Sequence, residues 1–348
     1  MVRCALVRHR RPEETPRLAA VNIAVTGSIA TDHLMTFSGR FADSMVVDQL
    51  DKISLSFLAD DLQVRRGGIG ANICFGMANL GLSPVLVGAV GEDFADYRSW
   101  LERHRIDCES VHTSPVRHTA RFVCTTDDDH AQIATFYAGA MSEARDIELR
   151  PIADRLGSLD LVVISPNDPE AMLRHTEECR TRGYAFVADP SQQLAWMDGA
   201  SIRLLVEGAA YLFSNEYEAA LLEKKTGWSA AEVQALVDVR VTTLGKYGSR
   251  IERAGQPEIH VPAAGEPTAV DPTGVGDAFR AGFITAVAWG LPLVRAAQLG
   301  ALLASYVLET IGPQEYELSR ARVLQRLEKA YGEDAVADVA PHLITPRP

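Results

Sequence analysis

The run Asp271-Pro272-Thr273-Gly274-Val275-Gly276-Asp277-Ala278-Phe279-Arg280-Ala281-Gly282-Phe283 sets a glycine turn directly against the start of an apolar helix. Backbone N–H groups at a helix start can hold an anion, and Gly274 and Gly276 let a phosphate approach the main chain. Asp277 stands beside that nest. Taken alone, an acidic residue in a first helical turn complements the helix dipole and needs no other reason. Next to a bound phosphate it is awkward unless it has a task, such as taking the proton from an attacking hydroxyl. The N–H groups of Gly274, Val275, Gly276 and Asp277 would then stabilise charge on a moving phosphoryl group. Lys246 and Arg280 lie near this region in the pattern, as phosphate neighbours or as solvated surface charges.

A second glycine cluster, Arg66-Gly67-Gly68-Ile69-Gly70-Ala71-Asn72, precedes a helix with apolar residues at Ile73, Phe75, Met77, Ala78 and Leu80. Its glycines let a ligand touch backbone, and Asn72 offers both a donor and an acceptor, although a tight turn alone would also explain them. The spacing is not Gly-x-Gly-x-x-Gly; a Gly-x-x-x-x-Gly-Lys-Ser/Thr loop and the protein-kinase motif set are both absent from the chain. Phe122 and Phe136 sit on opposite arms of an expected hairpin, placed to stack on a ligand or to fill a core.

The elements that must position these residues follow from hydrophobic period. An apolar run at 21–26 reads as a buried strand that delivers a polar loop, Ser28 to His33, to a sheet edge, where sites form. Strands are expected at 85–90, 159–165, 184–188, 211–214 and 237–243, with helices at 94–104, 169–182 and 216–226. Helices at 275–289, 292–310 and 319–331 dominate the last third. Residues 37–64 alternate in short pieces, most clearly Ile53-Ser54-Leu55-Ser56-Phe57, and 119–126 with 131–137 form a hairpin around Asp127-Asp128-Asp129. The expected fold class is a layered α/β/α domain with a largely parallel central sheet plus a small β-sheet lid, discontinuous at about 34–66 and 117–140. That domain spans 21–340, between a disordered basic tail at 1–20 and a C-terminal tail at 341–348.

The 348 residues carry a net charge of −12, and the first twenty hold five Arg against two Glu, leaving −15 for the remainder. Nucleic acid is not an expected partner of such a surface. Five dispersed cysteines without a Cys-x-x-Cys pair fit free thiols and a cytoplasmic setting. Apolar stretches near 281–293 and 296–308 are interrupted by Pro292, Arg295, Gln298 and Ser305, so no membrane span is expected. Nine histidines show no His-Glu-x-x-His, and no structural metal is assigned.

These residues resemble the ribokinase-like, or PfkB, family of carbohydrate and nucleoside kinases. Residues 271–282 are similar to its C-terminal motif and 67–72 to its N-terminal one, in the family's order, over a likeness running from Val21 to Tyr331. Asn215-Glu216-Tyr217-Glu218 resembles its Asn-x-x-Glu element, and Thr243-Leu244-Gly245-Lys246-Tyr247-Gly248 its nucleotide loop. Within the family the pattern looks most like the actinobacterial type of adenosine kinase, on 27–33, 139–145 and 189–193. The resemblance implies that Asp32 grips the ribose 2′ and 3′ hydroxyls beside Ser28, Gly68 and Asn72, and that Phe122 and Phe136 stack on the base. It also implies that Gln192 or Gln193 reads the purine edge or the ribose; only one of the pair is expected to touch it, because neighbours in an extended piece point opposite ways. Asn215 and Glu218 would arrange magnesium and phosphates, with ATP at Thr243, Gly245, Gly248 and Gly276. Mg²⁺ would arrive with ATP, K⁺ is a possible activator by resemblance alone, and a homodimer through the lid strands is expected.

The leading reading is an ATP-dependent adenosine kinase of purine salvage with Asp277 as general base. A ribokinase- or fructokinase-like sugar kinase would use the same turn and base with a different lid. A nucleoside sensor that binds without transferring is the alternative of another class.

Overall fold

The computed structural model describes residues 21–45 and 55–343. The expected tail at 1–20, residues 46–54 with Ile53 and Ser54 of the expected lid, and residues 344–348 lie outside the described residues. In chain order the strands are β1 (Ile23–Thr26), β2 (Ala30–Thr36), β3 (Asp61–Gly67), β4 (Val85–Gly91), β5 (Val111–Ser114), β6 (Ala120–Thr126), β7 (Gln132–Tyr137), β8 (Leu161–Ile164), β9 (Phe186–Ala188), β10 (Tyr211–Asn215), β11 (Val239–Thr243), β12 (Ser249–Glu252) and β13 (Ile259–Val261).

Nine of them form one sheet in the order β13-β12-β11-β10-β9-β8-β1-β4-β5. All neighbours from β11 to β5 are parallel, and the β11–β12 and β12–β13 pairings are antiparallel. Alternation along each strand sends side chains to two cores. Ile23, Val25, Val163, Val187 and Phe213 pack with the helices Ile69–Asn79, Val275–Ala288 and Leu293–Leu308. Ala24, Val162, Ile164, Ala188 and Leu212 face the helices Pro169–Arg182 and Gly199–Val206 on the other side. A strand covered on both faces must be apolar throughout, which is why β8 and β9 read as unbroken hydrophobic runs. The layered, largely parallel α/β fold expected from the sequence is the one observed. From β1 the chain reaches β4 on one side and later β8 on the other, so the strand order reverses there. Ligands of open α/β sheets bind in the crevice at such a point, beyond the carboxyl ends of the strands.

The four remaining strands make a separate sheet in the order β3-β2-β6-β7. Two expectations are corrected here. Ala30 to His33, read as part of a loop, belongs to β2, whose polar residues are half-buried between two neighbours. Of the segment 37–60, the described residues form no strand. Phe37, Phe41 and Phe57 instead gather in an aromatic cluster, with ring centroids 4.8 to 5.7 Å apart, which explains the apolar positions that mimic a strand period. Asp127, within the expected acidic turn, is buried and caps the turn: its carboxylate accepts from the N–H groups of Phe41, Asp129 and Ala131.

Candidate active site

A cavity of about 430 Å³ opens where the carboxyl ends of the parallel strands meet the inner face of the small sheet. Ser28 follows β1, Asn167 follows β8, Ser191 follows β9, and Asn215 and Thr243 end β10 and β11. The sheet supplies one wall by register. Asp32 on β2 lies between Arg65 on β3 and Phe122 on β6, and Phe122 in turn pairs with Phe136 on β7. One row across four strands thus sets a carboxylate beside two aromatic rings, all three lining the cavity. Gly67 leaves room for Asp32, since a Cβ at 67 would meet its Oδ2 at 2.9 Å. Burial, with Asp271 adding repulsion and Arg65 opposing both, pushes the Asp32 carboxyl up to about 6. Asp32 is a mid-strand residue of β2, not part of the loop expected for it.

The opposite wall is the glycine turn. Gly274 takes a left-handed φ of 77°, where a side chain would collide with Pro313, and the helix Val275–Ala288 starts directly after it. Asp271 braces the turn, accepting from Thr273 N–H at 2.9 Å and from Gly312 N–H at 3.0 Å. Gly274, Gly276 and Asp277 line the cavity, whereas Val275 does not: its N–H donates to Pro272 O, and its side chain packs on the core. Asp277 accepts from Asn72 Nδ2 at 2.9 Å. Burial raises its pKa, the Asn72 bond and Arg280 pull it down, and Glu218 pushes it up again.

Ser28 lines the cavity, but its hydroxyl accepts from Ile69 N–H at 3.0 Å and its carbonyl from Gly70 N–H, so it caps the helix that presents Asn72. Gly68, at φ 92°, makes the entry into that helix. Gln192 and Gln193 both line the cavity, because the segment Ser191–Ala195 is a 3₁₀ turn and not the extended chain assumed for it. Gln193 Nε2 donates to the Asn167 carbonyl at 2.8 Å, leaving Gln192 the freer amide. Asn215 and Glu218 line the far end and form a capping box at the start of the helix Glu216–Thr226, a role their spacing also encodes. Thr243 lines the cavity, but Gly245 and Gly248 do not; they shape the turn from β11 to β12, where a Cβ at Gly248 would strike Val261 O.

Arg280 is no solvated charge. Its guanidinium grips the Asp189 carboxylate through two contacts of 2.6 Å, with 7% and 1% of the two side chains exposed, and donates to Gly276 O at 3.0 Å. Lys246, by contrast, is exposed and lies over the Tyr247 ring. Other cavity residues escaped the sequence reading: Met141, Pro166, Asn167, Ser191 and Thr273. Asn167 and Ser191 had a usable signal, since each immediately follows a parallel strand or its first turn. Among the described residues no three His, Cys, Asp or Glu side chains cluster as metal ligands, and no helix is long and apolar enough to cross a membrane.

Known proteins resemble this chain over most of its length. A family model described as pfkB family carbohydrate kinase matches residues 36–319. A nucleoside kinase of Methanothermobacter thermautotrophicus is 31% identical over 82% of this chain and 92% of its own. The ligand-free nucleoside kinase of Burkholderia thailandensis superposes with a TM-score of 0.79 at 34% identity, over 88% of this chain and 100% of that one. The same kinase in complex with inosine gives a TM-score of 0.77 at 33% identity, over 89% and 98%.

Proposed function

The chain belongs to the pfkB family of carbohydrate kinases, and from that membership we propose that it is an ATP-dependent nucleoside kinase acting on the 5′-hydroxyl of adenosine. The observation that carries the reading is the row Asp32, Phe122, Phe136 facing Asp277 across one cavity. A carboxylate can accept both vicinal hydroxyls of a ribose while two rings take the face of a base. A simple sugar favours polar contacts and offers no planar base for two rings to stack on. The nucleoside kinases among its relatives support the same acceptor class.

In this reading Asp277 takes the proton of the 5′-hydroxyl as its oxygen attacks the γ-phosphorus in line. The bond from that phosphorus to the bridging oxygen breaks, and ADP leaves as AMP forms. Main-chain N–H groups at Gly274, Gly276 and Asp277 stabilise the phosphoryl oxygens. ATP would extend past Asn215, Glu218 and Thr243. The Glu218 carboxylate suits a hard cation at this end, and a magnesium ion brought by ATP would lie near Glu218 and Asn215 and neutralise phosphate charge. The same proposal includes a cytoplasmic setting, supported by the four free cysteines of the described residues, all buried. It also includes a homodimer through the lid edges β3 and β7, supported by the exposed Leu62, Val64 and Ile133 there; a monomeric mass in solution would refute that part.

ADP release with Mg-ATP and adenosine, guanosine, inosine, ribose or fructose tests the function. Adenosine is expected to be turned over best. Ribose or fructose alone would make it a sugar kinase, and a melting-temperature rise without ADP a sensor. In the same assay Phe122→Ala should weaken adenosine about tenfold or more, the loss of one stacked ring, and leave any weak ribose turnover unchanged. Equal losses for both acceptors would count against stacking.

The Asp32 carboxyl adds a pH dependence. Its ionised form accepts hydroxyl hydrogen bonds, so acceptor affinity should be full above about 6 and fall by up to about tenfold per unit below it. Calorimetric titration of adenosine between pH 5 and 8 reads this directly; a flat affinity would remove Asp32 from the ribose site.

A further inference from the structure

Behind Asp277 runs a chain of buried polar side chains drawn from distant parts of the sequence. Asn72 Nδ2 donates to Asp277 Oδ2 at 2.9 Å, and Asn72 Oδ1 accepts from Gln314 Nε2 at 2.9 Å. The same Nε2 also donates to the Tyr97 hydroxyl oxygen, whose proton goes to the Gly67 carbonyl at 2.9 Å. Gln314 is 1% exposed and Tyr97 5%. A side-chain amide has one donor end and one acceptor end. With Oδ1 held by the Gln314 N–H, only the donor end of Asn72 can face Asp277. Tyr97 fixes Gln314 in the same way, because its own proton is committed to Gly67 and only its lone pairs are free. The arrangement leaves Gln314 Oε1 buried without a partner, a cost that packing alone would not impose.

We propose that Gln314 is a positioning residue for phosphoryl transfer: acting through Asn72, it keeps an N–H rather than a carbonyl oxygen against the Asp277 carboxylate. The inference rests on the reading of Asp277 as the base. It makes the glycine turn at 67–68, the hydroxyl-binding Asn72 and the base one hydrogen-bonded unit, so that placing the acceptor and orienting the base are mechanically linked. The bond from Asn72 favours the ionised carboxylate, so losing it raises the proton affinity of Asp277. The other charged or titratable groups facing Asp277 are Arg280 on its own helix, Glu218 on Glu216–Thr226, Asp189 after β9 and Tyr316 after Leu293–Leu308. A change at position 314 leaves all four in place.

The test is steady-state kinetics of Gln314→Met and Gln314→Glu in the full chain across pH 5 to 9, with the best acceptor nucleoside. Gln314→Met should lower kcat about tenfold with acceptor KM nearly constant, the scale of one hydrogen bond to a charged group. The acid limb of kcat should move to higher pH, because activity needs the carboxylate and its proton now leaves less readily. Gln314→Glu, once ionised toward the alkaline end of the series, can only accept, turns the Asn72 carbonyl toward Asp277, and should there lose about a hundredfold on the same scale. Combined with Asn72→Leu, Gln314→Met should add no further loss, since its route of action is already cut. Wild-type kcat and acid limb in Gln314→Met, a change confined to KM, or full additivity would overturn the proposal. Should Gln314→Met melt early, Tyr97→Phe, which keeps the ring packing, takes its place: a shifted acid limb supports the proposal and an unmoved one overturns it. An active Asp277→Asn would sink the base reading itself; an inactive Asp277→Asn beside a normal Gln314→Met would sink only this proposal.

Discussion

Asp277→Asn is expected to lose about a thousandfold in kcat, the usual weight of a positioned general base, while binding adenosine within a fewfold of the native chain. The substitution preserves shape. An asparagine oxygen can still accept from Asn72 Nδ2, so the contact that orients the side chain survives. What disappears is the capacity to take a proton from the attacking hydroxyl. Folding should not suffer either. The carboxyl's pKa lies above its ordinary value because burial disfavours its charge. A raised folded-state pKa means that the charged form destabilises the fold, an effect absent at acid pH that grows as pH rises past the unfolded value. The amide carries no such charge, so Asp277→Asn should be as stable as the native chain at pH 7.5, or slightly more so. Turnover, calorimetric acceptor affinity and thermal unfolding on one preparation check all three. A kcat within tenfold of the native value would remove Asp277 from proton transfer, and a lost affinity would make it a binding residue instead.

Much of this centre was legible because its chemistry resides in local runs. The two glycine turns, each followed at once by an apolar helix, declare where main chain and ligand meet, and Asp277 and Asn72 sit one helical turn inside them. The parallel sheet was legible for a related reason: strands such as β8 and β9, covered on both faces, can hardly be written except as apolar runs. The lid strand β2 was hidden by the opposite circumstance. Its residues Thr31, Asp32 and His33 are half-buried between β3 and β6; Asp32 faces the cavity, and Thr31 and His33 hydrogen-bond each other at 3.0 Å, so all three are polar where a strand pattern would be apolar. Phe37, Phe41 and Phe57 misled because an aromatic cluster and a strand can share a spacing. Gln314 gave no local sign at all, since its partners stand more than 200 positions away along the chain and only folding brings them together. The Asn215 and Glu218 pair shows a subtler limit. One spacing encodes both a capping box and two groups turned toward a cavity, and the residues serve as both here.

Arg280 carried a sharper signal than its charge alone. A single cation flanked by Phe279, Ala281 and Phe283 on an apolar helix has little chance of reaching water, and a buried cation must be paired. Its partner is Asp189, at the end of β9, held by two contacts of 2.6 Å. Removing the guanidinium strands that carboxylate in the interior. Arg280→Met should therefore cost about 3–5 kcal/mol of stability near pH 8, the penalty of breaking a buried pair from one side. Burial already pushes the Asp189 carboxyl up to about 6 while Arg280 pulls against it; without Arg280 it rises further. Protonation then relieves the variant, so its deficit should shrink as pH falls from 8 toward 5.5. Asp189→Asn added to Arg280→Met should recover part of the loss by removing the unpaired charge. Denaturant unfolding at both pH values measures these differences; a deficit below about 1 kcal/mol, the worth of an exposed pair, would mean that the pair is effectively solvated. Activity should fall with stability for a separate reason. The same guanidinium holds the Gly276 carbonyl at 3.0 Å and so ties the anion turn to the end of β9. Turnover should therefore remain depressed in the Asp189→Asn double variant even where its fold is restored, because the glycine turn has lost its tether while the base has kept its place.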